Sequence, residues 1–306
     1  MALLRSDDMQ YNKVIAQALF GDQTKVANIP QPIGNYQLGV DFKVDTRKNR
    51  TTKLSDLDIF KKLFPVTPPK KGEEVGESAG TKGSGNGEIA LYWLLSKLQD
   101  VRDTRGSDSP DLAVTPKGGK EVGLEVKSFK VGTTRIPLGR FESQGENLKL
   151  LSIIFGVQVL LGDNSTITRK KGPPSITTFD KTELVSAFST ITTFINNKQL
   201  RAIANQFLPI QTIYQQVDWA VSKLGLIPGK FTAEDGAAAM LRMLLTAKLD
   251  VKPGFGGYIV NITPNGDAEF YHVDSNKINS LTTEELLNGV YAKGAALYIN
   301  MSLFSK

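Results

Sequence analysis

Residues 111–127, DLAVTPKGGKEVGLEVK, constrain the fold more than any other stretch. Two short apolar runs flank PKGG, which is turn chemistry. A strand alternates its side chains between two faces, so parity decides which residues meet. Leu112 and Val114 share one face of the first run, and Val122, Leu124 and Val126 share one face of the second. If these five cover one core, the register is fixed. A three-residue loop, Lys117-Gly118-Gly119, pairs Pro116 with Lys120 and sets Asp111 across from Glu125. Gly119 supplies the left-handed residue that such loops take near their end. The chain must therefore build a sheet with one apolar face, and its other face receives Asp111, Glu125 and Lys127.

Opposed strand residues have β-carbons about 4.5–5.5 Å apart. Two carboxylates at that separation repel, and a divalent cation between them reverses the sign of the interaction. Lys127 would bring an ammonium beside that ion. On a solvated face the repulsion would be mild, and Lys127 alone could relieve it. Composition narrows the chemistry. There is no cysteine and a single histidine, His272. Disulfides, thiolate nucleophiles and multi-histidine or cysteine metal sites are excluded. What remains is carboxylate, lysine and a hard cation such as Mg²⁺, which prefers oxygen ligands.

The net charge is +6 and the pI about 9.2. Between Phe42 and Lys71 nine Lys or Arg stand against three Asp, a surplus as large as that of the whole chain. Such a segment is either a solvated basic surface or a contact to a phosphate backbone. Arg169, Lys170 and Lys171 form a second basic cluster. The longest apolar stretch, LLSIIFGVQVLL at 150–161, is shorter than the roughly 20 residues a bilayer span needs. MALLRSDDM lacks a signal-peptide core, so the expected setting is cytoplasmic, without membrane contact.

Helices are expected near 6–20, 55–64, 88–100, 182–200, around Pro209 and at 233–248. QGENLKLLSIIF reads as helix and GVQVLLG, after it, as strand. Asn265-Gly266 between two alternating runs predicts a hairpin. Thr282 and Glu285 form a capping box, and AALYINMSLF predicts a closing strand. Residues 65–87, rich in Pro, Gly, Ser and charge, read as a loop. No Lys-Ser or Lys-Thr pair follows their glycines, so a phosphate-binding P-loop is excluded. The expected organisation is 1–64 helical and basic, 65–87 loop, 88–165 core, and 166–306 a helical and hairpin extension on the same core.

Pro110-Asp111, thirteen residues, then Glu125-Val126-Lys127 resembles the signature of the PD-(D/E)XK nucleases. The resemblance covers roughly residues 85–165, a quarter of the chain, and names no subfamily. It implies an α/β fold: a restriction-endonuclease-like core with a mixed central sheet flanked by helices, carrying additional helical and β-hairpin segments. It implies Mg²⁺ or Mn²⁺ held by Asp111, Glu125 and the backbone carbonyl of Val126. Lys127 would orient the attacking water. Glu88, in the first turn of the helix before the hairpin, would join the metal ligands; its other reading is compensation of the helix dipole. Gln144 stands where some relatives use a glutamine. Lys130, Arg135, Arg140, Arg102 and Arg105, with Arg169, Lys170 and Lys171, are the candidate DNA contacts. His272, beside Tyr271 and Asp274 on an expected strand, is a minor candidate.

The expected function is Mg²⁺-dependent hydrolysis of DNA, double-stranded in the first reading, by a restriction-type endonuclease. Homodimers suit that type because two active sites cut both strands. The alternatives are an exonuclease or a repair, recombination or DNA-processing nuclease. A non-catalytic DNA-binding or structural protein on the same fold, or a protein-only interaction module, stands in a different class.

Overall fold

The computed structural model describes residues 8–30, 50–53, 63, 86–95, 101–103, 111–114, 121–127, 135–140, 145–160, 178–204, 206–249, 256–262, 267–294 and 296–304. The protein is mixed α/β. Its chain groups into two units that are discontinuous in sequence: residues 1–133 with 249–275 and 305, and residues 134–248 with 276–304 and 306. The stretch 166–306 is thus shared between them, because the hairpin at 256–274 joins the first unit.

The first unit is built on a six-stranded sheet. Its strands are β1 (Arg50–Lys53), β2 (Val101–Asp103), β3 (Leu112–Val114), β4 (Val122–Lys127), β6 (Gly256–Ile262) and β7 (Asp267–Asp274). They run in the order β1-β7-β6-β4-β3-β2. Only β4 and β6 are parallel; every other neighbour is antiparallel. A parallel neighbour requires a crossover. Here the chain leaves β4, builds residues 134–248 of the other unit, and returns as β6. β6 and β7 form the hairpin expected around Asn265-Gly266, with Ile262 opposite Ala268, a register one residue off that of a two-residue Asn265-Gly266 turn; residues 263–266 lie outside the described residues.

One face of this sheet carries the core. Leu112, Val114, Leu124, Val126, Tyr258 and Val260 pack with two helices, α1 (Asp8–Phe20) and α2 (Asn86–Leu95). Tyr11 and Ile15 come from α1, and Ile89, Leu91, Tyr92 and Trp93 from α2. The rings of Tyr11 and Tyr92 stack at 4.5 Å. The expected helix at 55–64 falls outside the described residues apart from Leu63, which is helical and buried in the same core. Of the expected loop at 65–87, residues 65–85 fall outside them too, and Asn86 and Gly87 belong to α2 instead.

The second unit holds a three-stranded antiparallel sheet, β5-β9-β8, made of β5 (Arg135–Arg140), β8 (Val290–Lys293) and β9 (Ala296–Asn300). Its helices are α3 (Gly145–Leu160), α4 (Lys181–Asn196), α5 (Lys198–Ala204), α6 (Leu208–Lys223), α7 (Ala233–Leu249), α8 (Ser275–Ser280) and α9 (Thr283–Gly289). Asp180 caps α4 and Thr282 caps α9, each in a reciprocal capping box. One expectation fails here. GVQVLLG is not a strand: α3 runs through Leu160, burying Leu150, Leu151, Ile154, Phe155, Val157 and Gln158. A short apolar run suits either structure, and the helical face begun at Leu150 continues through it.

Candidate functional site

β3 and β4 pair as Leu112↔Leu124, Ala113↔Gly123 and Val114↔Val122. This is the register that the three-residue loop predicts, although the loop itself lies outside the described residues. Continued by one residue, it sets the Cα of Asp111 opposite that of Glu125. Asp111 sits in a bend just before β3. Its Oδ2 accepts the backbone N–H of Val126 at 2.8 Å. The carboxylate thus extends the ladder past the end of β3. The Val126 N–H therefore points toward the β3 side. The N–H and C=O of one strand residue point the same way, so the Val126 carbonyl also lies on the side of Asp111.

Strand alternation turns Glu125 away from the α1–α2 core. It is 4% exposed and borders a void of about 10 Å³ lined also by Gly123, Gly257, Ile259, Val273 and Leu249. That volume is about the space one water molecule needs. The parallel register places Ile259 beside Glu125 and Asn261 beside Lys127. Across the hairpin, Tyr271 and Glu269 follow in the same two rows. Glu125 and Lys127 thus stand in the C-terminal half of β4, next to the C-terminal half of β6. In open α/β sheets ligands gather at the carboxyl ends of parallel strands.

Glu88 stands elsewhere. It is 6% exposed in the first turn of α2, the helix packed on the opposite, apolar face. The Tyr11 hydroxyl donates to its Oε1. Among the described residues, no three carboxylate or imidazole side chains come close enough to share a metal ion. The structure joins Asp111 to the Glu125-Val126-Lys127 segment through the Val126 amide. Tyr11 carried no signal in the sequence, since 77 positions separate it from Glu88.

Of the expected DNA contacts, Arg102 lies on β2, and Arg135 and Arg140 are the end residues of β5. Arg105, Lys130, Gln144, Arg169, Lys170 and Lys171 lie outside the described residues. His272 is buried on β7 opposite Tyr258, with the two rings edge-on at 5.2 Å. That is the setting of a core histidine.

Among the described residues, no helix is long and apolar enough to cross a membrane. No family model matches the chain, and neither a curated protein nor a solved structure matches it.

Proposed function

We propose that this protein hydrolyses DNA phosphodiester bonds with Mg²⁺ or Mn²⁺, as a restriction-type endonuclease on a restriction-endonuclease-like core. One observation carries the reading: the β3–β4 register opposes Asp111 to Glu125, and the Val126 amide holds the Asp111 carboxylate at the edge of β4. The donor set is two carboxylates and a carbonyl, all oxygen. That fits Mg²⁺, which takes one or two protein carboxylates and fills its remaining positions with water and substrate phosphate. When bound, the ion supplies Lewis-acid polarisation of the scissile phosphate.

The chain's own residues do the rest. Asp111 and Glu125 supply the negative charge that selects a cation. The Val126 amide fixes the aspartate, and its carbonyl completes the oxygen set. Lys127 contributes a positive charge beside the reacting phosphate, where charge develops in the transition state, and orients the attacking water. Glu88, whose carboxylate joins α1 to α2 through Tyr11, would be a further ligand from the helix.

A second reading is favoured by the burial of Glu125: the fold serves a DNA-binding protein without turnover. One experiment separates the two. Supercoiled plasmid and linear DNA are incubated with the protein in Mg²⁺ or EDTA, beside Glu125→Ala and Lys127→Ala. Discrete fragments in Mg²⁺ alone, lost in both variants, support the endonuclease; shortening from the ends points to an exonuclease. Binding without metal-dependent cleavage supports the second reading.

A further inference from the structure

The first unit contains twenty-one basic and twenty-one acidic residues. The second contains sixteen basic and ten acidic, and so carries the whole +6 of the chain. Within that unit an open depression of about 440 Å³ lies at the C-terminal end of α4. Thr192, Thr193, Asn196 and Asn197 line it. Among the described residues every lining side chain is a neutral hydrogen-bonding group and none is an acid; the Thr192 and Thr193 hydroxyls donate to the Ser189 carbonyl, which leaves the amides of Asn196 and Asn197 as the donors. Lys198 follows Asn197 directly. Gly229, with φ at +75°, comes close enough to Asn196 that an added Cβ would meet its Oδ1 at 3.4 Å. Lys230 follows it. Both lysines are exposed, and neither is in an ion pair among the described residues.

From this we infer that the Thr192–Asn197 depression, flanked by Lys198 and Lys230, is a contact surface for a nucleic-acid backbone. The chemistry is that of phosphate contact: the side-chain amides of Asn196 and Asn197 donate to phosphate oxygens and fix the register, while lysines displace counterions. Among the described residues, carboxylates, which would repel a phosphate chain, are absent from the lining. The close approach of Gly229 brings the loop before α7 up to α4, so that lysines distant in sequence flank one surface. An acidic protein partner would also seek the lysines. It would have less use for two neutral amide donors beside them, and the concentration of the chain's positive charge in this unit suits a polyanion. This inference does not depend on catalysis.

The test uses the full-length protein and a short fluorescent DNA duplex in EDTA, so that no cleavage can occur. Affinity is measured over a range of salt for wild type and for K198E/K230E. K181E/K293E serves as control, since it removes the same charge elsewhere in the unit. We expect the first pair to weaken binding by tenfold or more. The slope of log affinity against log salt should fall by about 0.9 for each phosphate that is no longer neutralised. The control should stay within about threefold of wild type, as expected where long-range charge is screened. Asn196→Ala should weaken binding with no change of net charge. Equal weakening in both double variants would reduce the effect to net charge and overturn the assignment, as would unchanged binding in K198E/K230E. Loss of cleavage with intact binding, as in Glu125→Ala, bears on the proposed activity alone.

Discussion

A carboxylate that accepts a backbone N–H is held in one orientation, and Asp111 is held in this way by Val126. Asn keeps the acceptor oxygen and loses the charge. Asp111→Asn should therefore melt at the wild-type temperature while cleaving DNA at least about a hundredfold more slowly, a loss of roughly 2.7 kcal/mol of transition-state stabilisation. Asp111→Ala removes the acceptor and should also destabilise by about 1–3 kcal/mol if the amide stays buried. Thermal melts and plasmid cleavage on the two variants separate structural support from chemistry. The opposition of Asp111 and Glu125 was legible in the sequence because parity and a glycine-bearing turn allow one register. The bond between Glu88 and Tyr11 was not legible. Tyr11 is supplied by tertiary packing, and the helix pattern alone does not say which face of the sheet receives the helix.

Tyr214 titrates in a telling direction. Burial raises its phenol above the ordinary 10.0; Asp218 adds to the rise and Arg201 opposes it. Its hydroxyl donates to the Phe194 carbonyl at 3.0 Å. The raised folded value means that the neutral form is favoured in the native state. Its stabilisation is complete below pH 10 and is lost as pH rises from there through the folded value. Tyr214→Phe should cost about 1 kcal/mol at neutral pH through the missing hydrogen bond. Its deficit should narrow in alkaline solution. Denaturant melts at pH 7 and above pH 10 measure both.

Helix α7 meets α4 through a glycine. A Cβ built at Gly236 would lie 2.2 Å from Cδ1 of Phe188, which is fully buried. The ring fills the space that a side chain would need. Gly236→Ala raises intrinsic helix propensity by up to about 1 kcal/mol, yet overpacking costs about 1–3 kcal/mol. The clash is with a ring locked in the core, so we expect net destabilisation. Pairing the change with Phe188→Leu should recover part of the loss, a positive coupling that a double-mutant cycle in urea would register. At this scale the amphipathic helices and the Thr282–Glu285 capping box could be read directly, because caps and apolar stripes are local signals; the Asp180–Glu183 box went unread. The extension of α3 through Leu160 could not, since Gly156-Val157-Gln158-Val159-Leu160 suits a strand equally well until its neighbours are known. Gly236 carried no warning either, because its constraint comes from a side chain 48 positions away.

The parallel pairing of β4 with β6 joins residues more than a hundred positions apart, with much of the other unit between them. No local pattern announces such a neighbour, and the hairpin β6–β7 could be read while its place beside β4 could not. That place matters, because Ile259 and Gly257 on β6 help to enclose the void at Glu125. Any cation held by Asp111 and Glu125 therefore binds the assembled sheet and not the unfolded chain. A ligand of the native state alone stabilises by RT ln(1 + [L]/Kd), about 2.7 kcal/mol at a hundred times Kd. Thermal melts without DNA should accordingly show a saturating rise in transition temperature with added Mg²⁺. The rise should vanish in Glu125→Gln, which keeps the side chain's shape and removes its charge. K⁺ at matched ionic strength should not reproduce it, because screening alone does not distinguish the two proteins. A wild-type melt indifferent to Mg²⁺, or a variant that gains as much as wild type, would remove the ion from Glu125. The register of β3 on β4 would then remain a fact of the fold without a metal to explain it.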